Sequence, residues 1–179
     1  MKLKSLLIPV LTIVLCAAVL FGAAVGLNGV ANENAQREHL AIMQTILPGS
    51  ETFTLEPYDG EDANIVSVHK GETGFVIETC TYGYAGEITV LIGVSSDGKV
   101  TGMQVRDMSE TLGLGGEALT DWKFLVQFLN TSGEAEVGTN VDALTGATVT
   151  SKAIARCVNS AVAYVTGADT SSGATSWGG

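Results

Sequence analysis

Between Ser5 and Asn32 this 179-residue chain carries no charged side chain, and Leu6 to Leu27 is almost wholly apolar. As a helix rising 1.5 Å per residue, that run is about 33 Å long, enough to cross a hydrocarbon core. Pro9 lies near its start, where a helix tolerates proline. A cleaved secretory leader is the competing expectation. Its apolar core would be only about 7–15 residues long, and no clean small-x-small site follows a short core here. The expectation is therefore a retained single-pass anchor in the cell membrane. Lys2 and Lys4 precede the run and Glu33 is the first charge after it. The positive-inside rule then leaves the N-terminus in the cytoplasm and the remainder extracytoplasmic. The run holds no acidic or basic residue, so it offers no ion pathway of its own.

The exported part must make one ordinary domain. With 46% hydrophobic residues the chain is not disordered, and a net charge of −10 argues against nucleic acid as a partner. Setting aside Lys2 and Lys4 leaves −12 outside, which an anionic leaflet repels. Such a domain stands off the membrane or docks on protein. Three cysteines form no CxxC spacing, so neither a zinc site nor a disulfide scaffold is expected. Cys16 falls in the apolar run. Cys80 and Cys157 can pair in an oxidising compartment, but their apolar surroundings favour buried free thiols. His39 and His69 are isolated and read as surface or capping residues, not metal ligands.

The pattern beyond the anchor is α+β. Glu33 to Leu47 is predicted as a helix with Leu40, Met43, Ile46 and Leu47 on one face, stopped at Pro48-Gly49. Ile65–His69, Phe75–Thr81, Glu87–Val94 and Val100–Arg106 read as strands of an antiparallel meander of three or four members. Ser96-Asp97-Gly98 is a hairpin signal between the last two, and Gly83 and Gly86 flank a tyrosine-containing turn. A glycine-rich loop, Met108 to Gly116, leads to a helix carrying Trp122, Leu125, Val126, Phe128 and Leu129, with Asp121 as its cap. Thr131 to Asn140 is a polar connection. A final helix from about Ser151 to Val165 gathers Ile154, Cys157, Val158, Ala161, Val162 and Val165 on one face and ends at Gly167. The expected division is 1–31 tip and membrane helix, 32–64 juxtamembrane helix and connection, 65–167 globular domain, and 168–179 flexible tail.

One segment carries chemistry. Asp142-Ala143-Leu144-Thr145-Gly146-Ala147-Thr148-Val149-Thr150-Ser151 places small residues and four hydroxyls at the start of the last helix. A helix N-terminus offers unpaired N–H groups and the positive end of a dipole, which suits an anion and phosphate in particular. Gly146 and Ala147 allow a bulky group to approach the backbone, and Lys152 adds a positive charge in the first turn. The plain alternative is an ordinary cap made by Thr148, Thr150 or Ser151.

Asp142-x-x-Thr145-Gly146-Ala147-Thr148 resembles the flavinylation motif of the FMN-binding domain family, Asp-x-x-Ser/Thr-Gly-Ala-Thr. Glu110-Thr111-Leu112-Gly113-Leu114-Gly115 is similar to that family's Glu-Thr-Pro-Gly-Leu-Gly loop, with Leu112 in place of proline. The resemblance runs from about Val66 to Val165. It implies an FMN-binding domain with an antiparallel sheet and flanking helices, and FMN joined to Thr148 by a phosphoester bond. A separate flavin transferase makes that bond from FAD. Thr145, Gly146, Ala147, Thr150, Ser151, Lys152 and Asp142 would surround the attachment, with the Glu110–Gly115 loop near the flavin ring. Topology and length further resemble the G subunits of Rnf-type ion-translocating ferredoxin:NAD oxidoreductases. The C subunits of sodium-translocating NADH:quinone oxidoreductases are the runner-up. By that resemblance the chain is an electron carrier whose partners are the other membrane and peripheral Rnf subunits, active only as part of the translocase. A rival of another class is an anchored, non-redox binding module.

The motif recurs as Asp169-Thr170-Ser171-Ser172-Gly173-Ala174-Thr175. No patterned helix follows this copy, only Ser176-Trp177-Gly178-Gly179, so a low-complexity Gly/Ser/Thr tail is the preferred expectation and modification of Thr175 the alternative.

Overall fold

The computed structural model describes residues 3–108 and 121–168. The Glu110–Gly115 loop and the 169–179 tail, with its second motif, lie outside the described residues. The chain separates into two compact units, Met1–Leu40 and Ala41–Gly179.

A single helix, α1 (Leu3–Ile46), replaces the two helices expected at the N-terminus. Gly29 and its weaker helix-forming neighbours Asn28, Val30 and Asn32 do not end it: one glycine costs about 1 kcal/mol and the others less, too little to stop so long a helix. Side chains of its apolar run are described over residues 11–22. Leu11, Ile13, Leu15, Leu20 and Phe21 there are each at least 65% exposed. Among the described residues no helix is long and apolar enough to cross a membrane.

The second unit is built on a five-stranded antiparallel meander in sequence order: β1 (Thr54–Glu56), β2 (Ile65–Lys70), β3 (Gly74–Tyr82), β4 (Glu87–Ser95) and β5 (Val100–Met108). Four strands match the predicted runs. The fifth, β1, is three residues long, too short to show a period of two, and is recognised only by its pairing of Leu55 with His69. Strand alternation gives the sheet two apolar faces. Ile77, Ile88, Val90, Ile92 and Val94 face one way into the main core. Val76 and Leu91 face the other way and pack on Met43 and Ile46 from the last turn of α1 and on Leu47 just after it.

Glycine makes that second contact possible. Gly93 and Gly102 are paired across β4 and β5. A Cβ on Gly93 would press into the Ile46 carbonyl oxygen, and one on Gly102 would lie 2.8 Å from the Ile46 Cα. The neighbouring Thr101 hydroxyl donates to that Ile46 carbonyl at 2.6 Å, satisfying an acceptor that the helix end leaves free.

The main core is closed by α2 (Trp122–Leu125), a 3-10 turn at Val126–Phe128, and α3 (Thr148–Thr166). Asp121 caps α2 as expected, accepting from the Lys123 N–H at 2.9 Å. The predicted helix is cut to one turn, and its buried residues are Phe124 and Phe128, edge to face at 5.3 Å, while Trp122 and Val126 are exposed. Its 3-10 continuation closes at Leu129, where the chain turns extended. α3 buries Ala153, Ile154, Cys157, Val158, Ala161 and Val162, and Gly167 closes it in the left-handed region.

Cys80 and Cys157 are free. Thr79 is buried beside Cys157, and the adjacent Cys80 therefore faces the opposite side of the sheet. Burial pushes the Cys157 thiol up to about 11.

Candidate functional site

The orientation of α3 fixes where its first turn sits. Near its C-terminus Tyr164 packs edge to face on Phe75, at the start of β3, with centroids 5.7 Å apart. Thr166 lies against Gly98 in the β4–β5 hairpin. Farther back, Ser160 accepts from Asn64, whose carbonyl accepts from the Cys80 N–H. α3 thus runs antiparallel to β3, and Thr148 lies toward the sheet end that holds the Tyr82–Glu87 turn and Met108.

The approach to Thr148 is held by side-chain amides. The Gln127 side chain donates to the Asp142 carbonyl at 3.3 Å and accepts from the Asp142 N–H at 2.8 Å. Asn159 does the same for Ala135, donating to its carbonyl at 3.0 Å and accepting from its N–H at 2.8 Å. Sequence reasoning missed both clamps, because an amide that grips a distant backbone leaves no local signature. Gly146 then adopts φ +80°, a left-handed turn that favours glycine.

The cap of α3 is Ala147, which has no polar side chain. The expected alternative, a plain Thr or Ser cap, is therefore not what the chain does. Ser151 is buried and its hydroxyl is spent: it donates to the Ala147 carbonyl at 2.9 Å and accepts from the Leu144 N–H at 3.2 Å. The first helical backbone bond runs from the Ser151 N–H to the same carbonyl. Among the described residues, nothing accepts from the N–H groups of Thr148, Val149 and Thr150. Thr150 is fully buried and, among the described residues, its hydroxyl has no partner. Thr148, Thr145, Gly146, Asp142 and Lys152 are exposed.

An exposed hydroxyl beside three unpaired N–H groups and one orphaned buried hydroxyl suits a phosphate ester on Thr148. A neutral apolar ligand would leave those donors unsatisfied. The structure brings together Asp142, Thr145, Gly146, Ala147, Thr148, Thr150, Ser151 and Lys152. Glu110, Thr111, Leu112, Gly113, Leu114 and Gly115 lie outside the described residues.

Known proteins share much of this chain. The FMN-binding domain family matches residues 83–163, which include β4, β5 and the first sixteen residues of α3. The G subunit of the ion-translocating oxidoreductase complex of Methanosarcina acetivorans is 37% identical over 139 residues, 69% of this chain and 72% of that protein. This chain belongs to the G-subunit family. Within the family, the G subunit of the Na(+)-translocating ferredoxin:NAD(+) oxidoreductase complex of Acetobacterium woodii is 29% identical across 90% of this chain and 89% of its own length. The G subunit of the proton-translocating ferredoxin:NAD(+) oxidoreductase complex of Clostridium ljungdahlii is 37% identical over 99 residues, 51% of this chain and 53% of that protein.

Proposed function

We propose that this protein is an electron-transfer subunit of an Rnf-type ion-translocating oxidoreductase complex, anchored in the membrane and holding FMN covalently through the Thr148 hydroxyl. FMN, when bound, supplies the redox chemistry, and the chain supplies position and electrostatics. The uncapped first turn of α3, with its orphaned Thr150 hydroxyl, is the observation that carries the reading. Those donors stabilise a phosphodiester charge at that position. Lys152 adds a cation one turn along. Gln127 and Ser151 hold the loop so that Thr148 stays exposed to the transferase.

The anchor is Leu6 to Leu27. Its described side chains are exposed and, Thr12 apart, apolar, a surface that water disfavours and lipid accepts. With Lys2 and Lys4 cytoplasmic, the flavin domain lies on the extracytoplasmic side. Covalent attachment keeps the cofactor from being lost there. The relatives from three organisms are all G subunits, which favours the Rnf assignment over the C-subunit alternative. Partners are then the other Rnf subunits and, during maturation, the flavin transferase. The chain acts within the translocase and has no turnover alone.

The test is a denaturing gel viewed under ultraviolet light, on protein made with an active flavin transferase. Fluorescence that survives denaturation and disappears in Thr148→Ala is the expected result. The fold should tolerate the change, because Thr148 is exposed and caps nothing. A dark wild-type band would refute the reading.

A further inference from the structure

We propose that the outer face of α2 and its 3-10 continuation, centred on Trp122 and Val126, docks a protein partner whose matching surface is an apolar pocket rimmed by carboxylates; this rests on the place in an oxidoreductase complex proposed above. The segment is one turn of four residues followed by three more, too short to hold its shape by helix propensity. Contacts on its inner side fix it instead. Asp121 caps the first turn, Phe124 and Phe128 are buried in the main core, and Gln127 holds both backbone groups of Asp142. The outward set is then Trp122, Lys123, Val126 and Asn130, all exposed.

Trp122 is 67% exposed and Val126 44%. Four residues apart, they lie on one side of the segment. Packing within the unit does not call for either, since the two phenylalanines already anchor the segment from within. A tryptophan offers about 150–250 Å² of surface to bury, and tryptophan is enriched among the residues that carry most of the binding energy in protein interfaces. Charge gives the partner its character. In the Ala41–Gly179 unit Lys70, Lys99 and Arg106 are each in an ion pair. Lys123 and Lys152 are exposed and, among the described residues, in none. Asp121, beside Trp122, turns its carboxylate to the Lys123 N–H. An unpaired cation next to an exposed tryptophan, in a chain of net charge −10, is matched by carboxylates around an apolar pocket.

Position gives the docking its use. The Asn130 N–H donates to the Val100 carbonyl and the Val100 N–H to the Thr131 carbonyl, so the segment ends on the β5 side of the sheet. Gln127 ties the same segment to Asp142, at the start of the loop that leads to Thr148. A partner seated on Trp122 and Val126 is thereby placed beside that loop and the redox group proposed there. A bilayer surface also accepts tryptophan and lysine. The net charge of −10 opposes an anionic leaflet, whereas a protein can present its carboxylates to Lys123 alone. Leu55 and Val66 are exposed and apolar too, and serve as the contrast. They lie on β1 and β2, at the sheet edge opposite β5, where Lys70 is already paired with Glu56.

The test uses the full chain in its complex, made with an active flavin transferase. Photo-reactive benzoylphenylalanine replaces Trp122, Val126 or Leu55, the complex is irradiated, and crosslinked peptides are read by mass spectrometry. The replacements at Trp122 and Val126 should crosslink to another subunit within a segment containing Asp or Glu, and the one at Leu55 should not. Trp122→Ala should weaken rebinding of the purified chain to complex stripped of it by about tenfold or more. Lys123→Glu should weaken rebinding at low salt and lose that effect at high salt. Both variants should keep their Tm and full modification of Thr148, which separates docking from folding and from flavin attachment. Crosslinks from Leu55 alone, or undiminished rebinding of Trp122→Ala, overturn the docking face. Binding to phosphatidylglycerol vesicles that Trp122→Ala abolishes, with no protein crosslink from Trp122, overturns the protein occupant. A wild-type chain that neither carries covalent flavin nor joins the complex overturns the proposed function, and the docking with it.

Discussion

Gly93→Ala should loosen the last turn of α1 from the sheet and cost stability out of proportion to one methyl group. The new Cβ would press into the Ile46 carbonyl oxygen and lie 2.7 Å from Thr101 Oγ1 and 2.9 Å from the Ile46 carbonyl carbon. Two of those three atoms are backbone, so the helix end must move by about 1 Å to restore ordinary contact. Movement of that size breaks the Thr101–Ile46 hydrogen bond, worth about 0.5–1.5 kcal/mol. It also loosens Met43, Ile46 and Leu47 from Val76 and Leu91. Three such side chains contribute roughly 5–9 kcal/mol by burial. A gap of 0.5–1 Å forfeits about a quarter to a half of a contact well. The expected loss is therefore about 2–6 kcal/mol. At roughly 4 °C per kcal/mol for a unit of this size, Tm falls by about 8–24 °C. Gly102→Ala meets the same helix end and should cost a similar amount. The pair should be less than additive, because a helix end displaced by one Cβ has already made room for the other. Thermal and denaturant unfolding of the two single variants and the double variant measure this. A loss under about 0.5 kcal/mol for Gly93→Ala, or full additivity of the pair, would refute the reasoning.

Thr150→Val keeps the shape and removes a buried hydroxyl that has no partner, so the unmodified protein should gain about 1–2 kcal/mol. In flavinylated protein the gain should vanish or reverse, which denaturant midpoints of the two forms will show. Gln127→Ala removes both bonds that hold Asp142, and should cost about 1–2 kcal/mol and slow flavin attachment in a timed modification assay. The Thr52 hydroxyl, at 2.7 Å, and the N–H groups of Thr52 and Glu51 hold the Glu72 carboxyl below its ordinary range. A depressed carboxylate contributes stability above its unfolded pKa and loses it as pH falls through the folded value. Glu72→Gln should flatten that acid-side loss, and an unchanged pH profile would refute the assignment.

The regular parts of the fold were legible because they follow simple periods. β2 to β5 alternate, Asp97-Gly98 marks the hairpin with Gly98 at φ +80°, and α3 keeps one apolar face. The parts that escaped have no period to read. β1 is too short to alternate, and the 122–129 segment changes from α to 3-10 after one turn, turning Val126 outward. Gly93 and Gly102 look like ordinary strand glycines until Ile46 is found above them. At the first turn of α3 the plain alternative, a hydroxyl cap, does not hold: Ala147 is the cap, and the Ser151 hydroxyl is turned to the loop instead. Asp142, Thr145 and Thr148 are exposed, so packing alone does not account for their spacing.

The two faces of the sheet divide the work, and that division makes function and stability separable. α3 with Thr148 covers the Ile77–Val90–Ile92 face, and the end of α1 covers the Val76–Leu91 face. Neither cluster shares a side chain with the other, although alternate residues of β3 and β4 feed both. Substitutions on opposite faces with no shared partner should add within about 0.3–0.5 kcal/mol. Gly93→Ala should then lower stability while leaving modification of Thr148 complete below the new Tm. Thr148→Ala should abolish modification while leaving Tm nearly unchanged. Incomplete modification of folded Gly93→Ala would mean that the sheet transmits strain from one face to the other. Leu91, between Val90 and Ile92, would be the first residue to examine, because its backbone belongs to both layers.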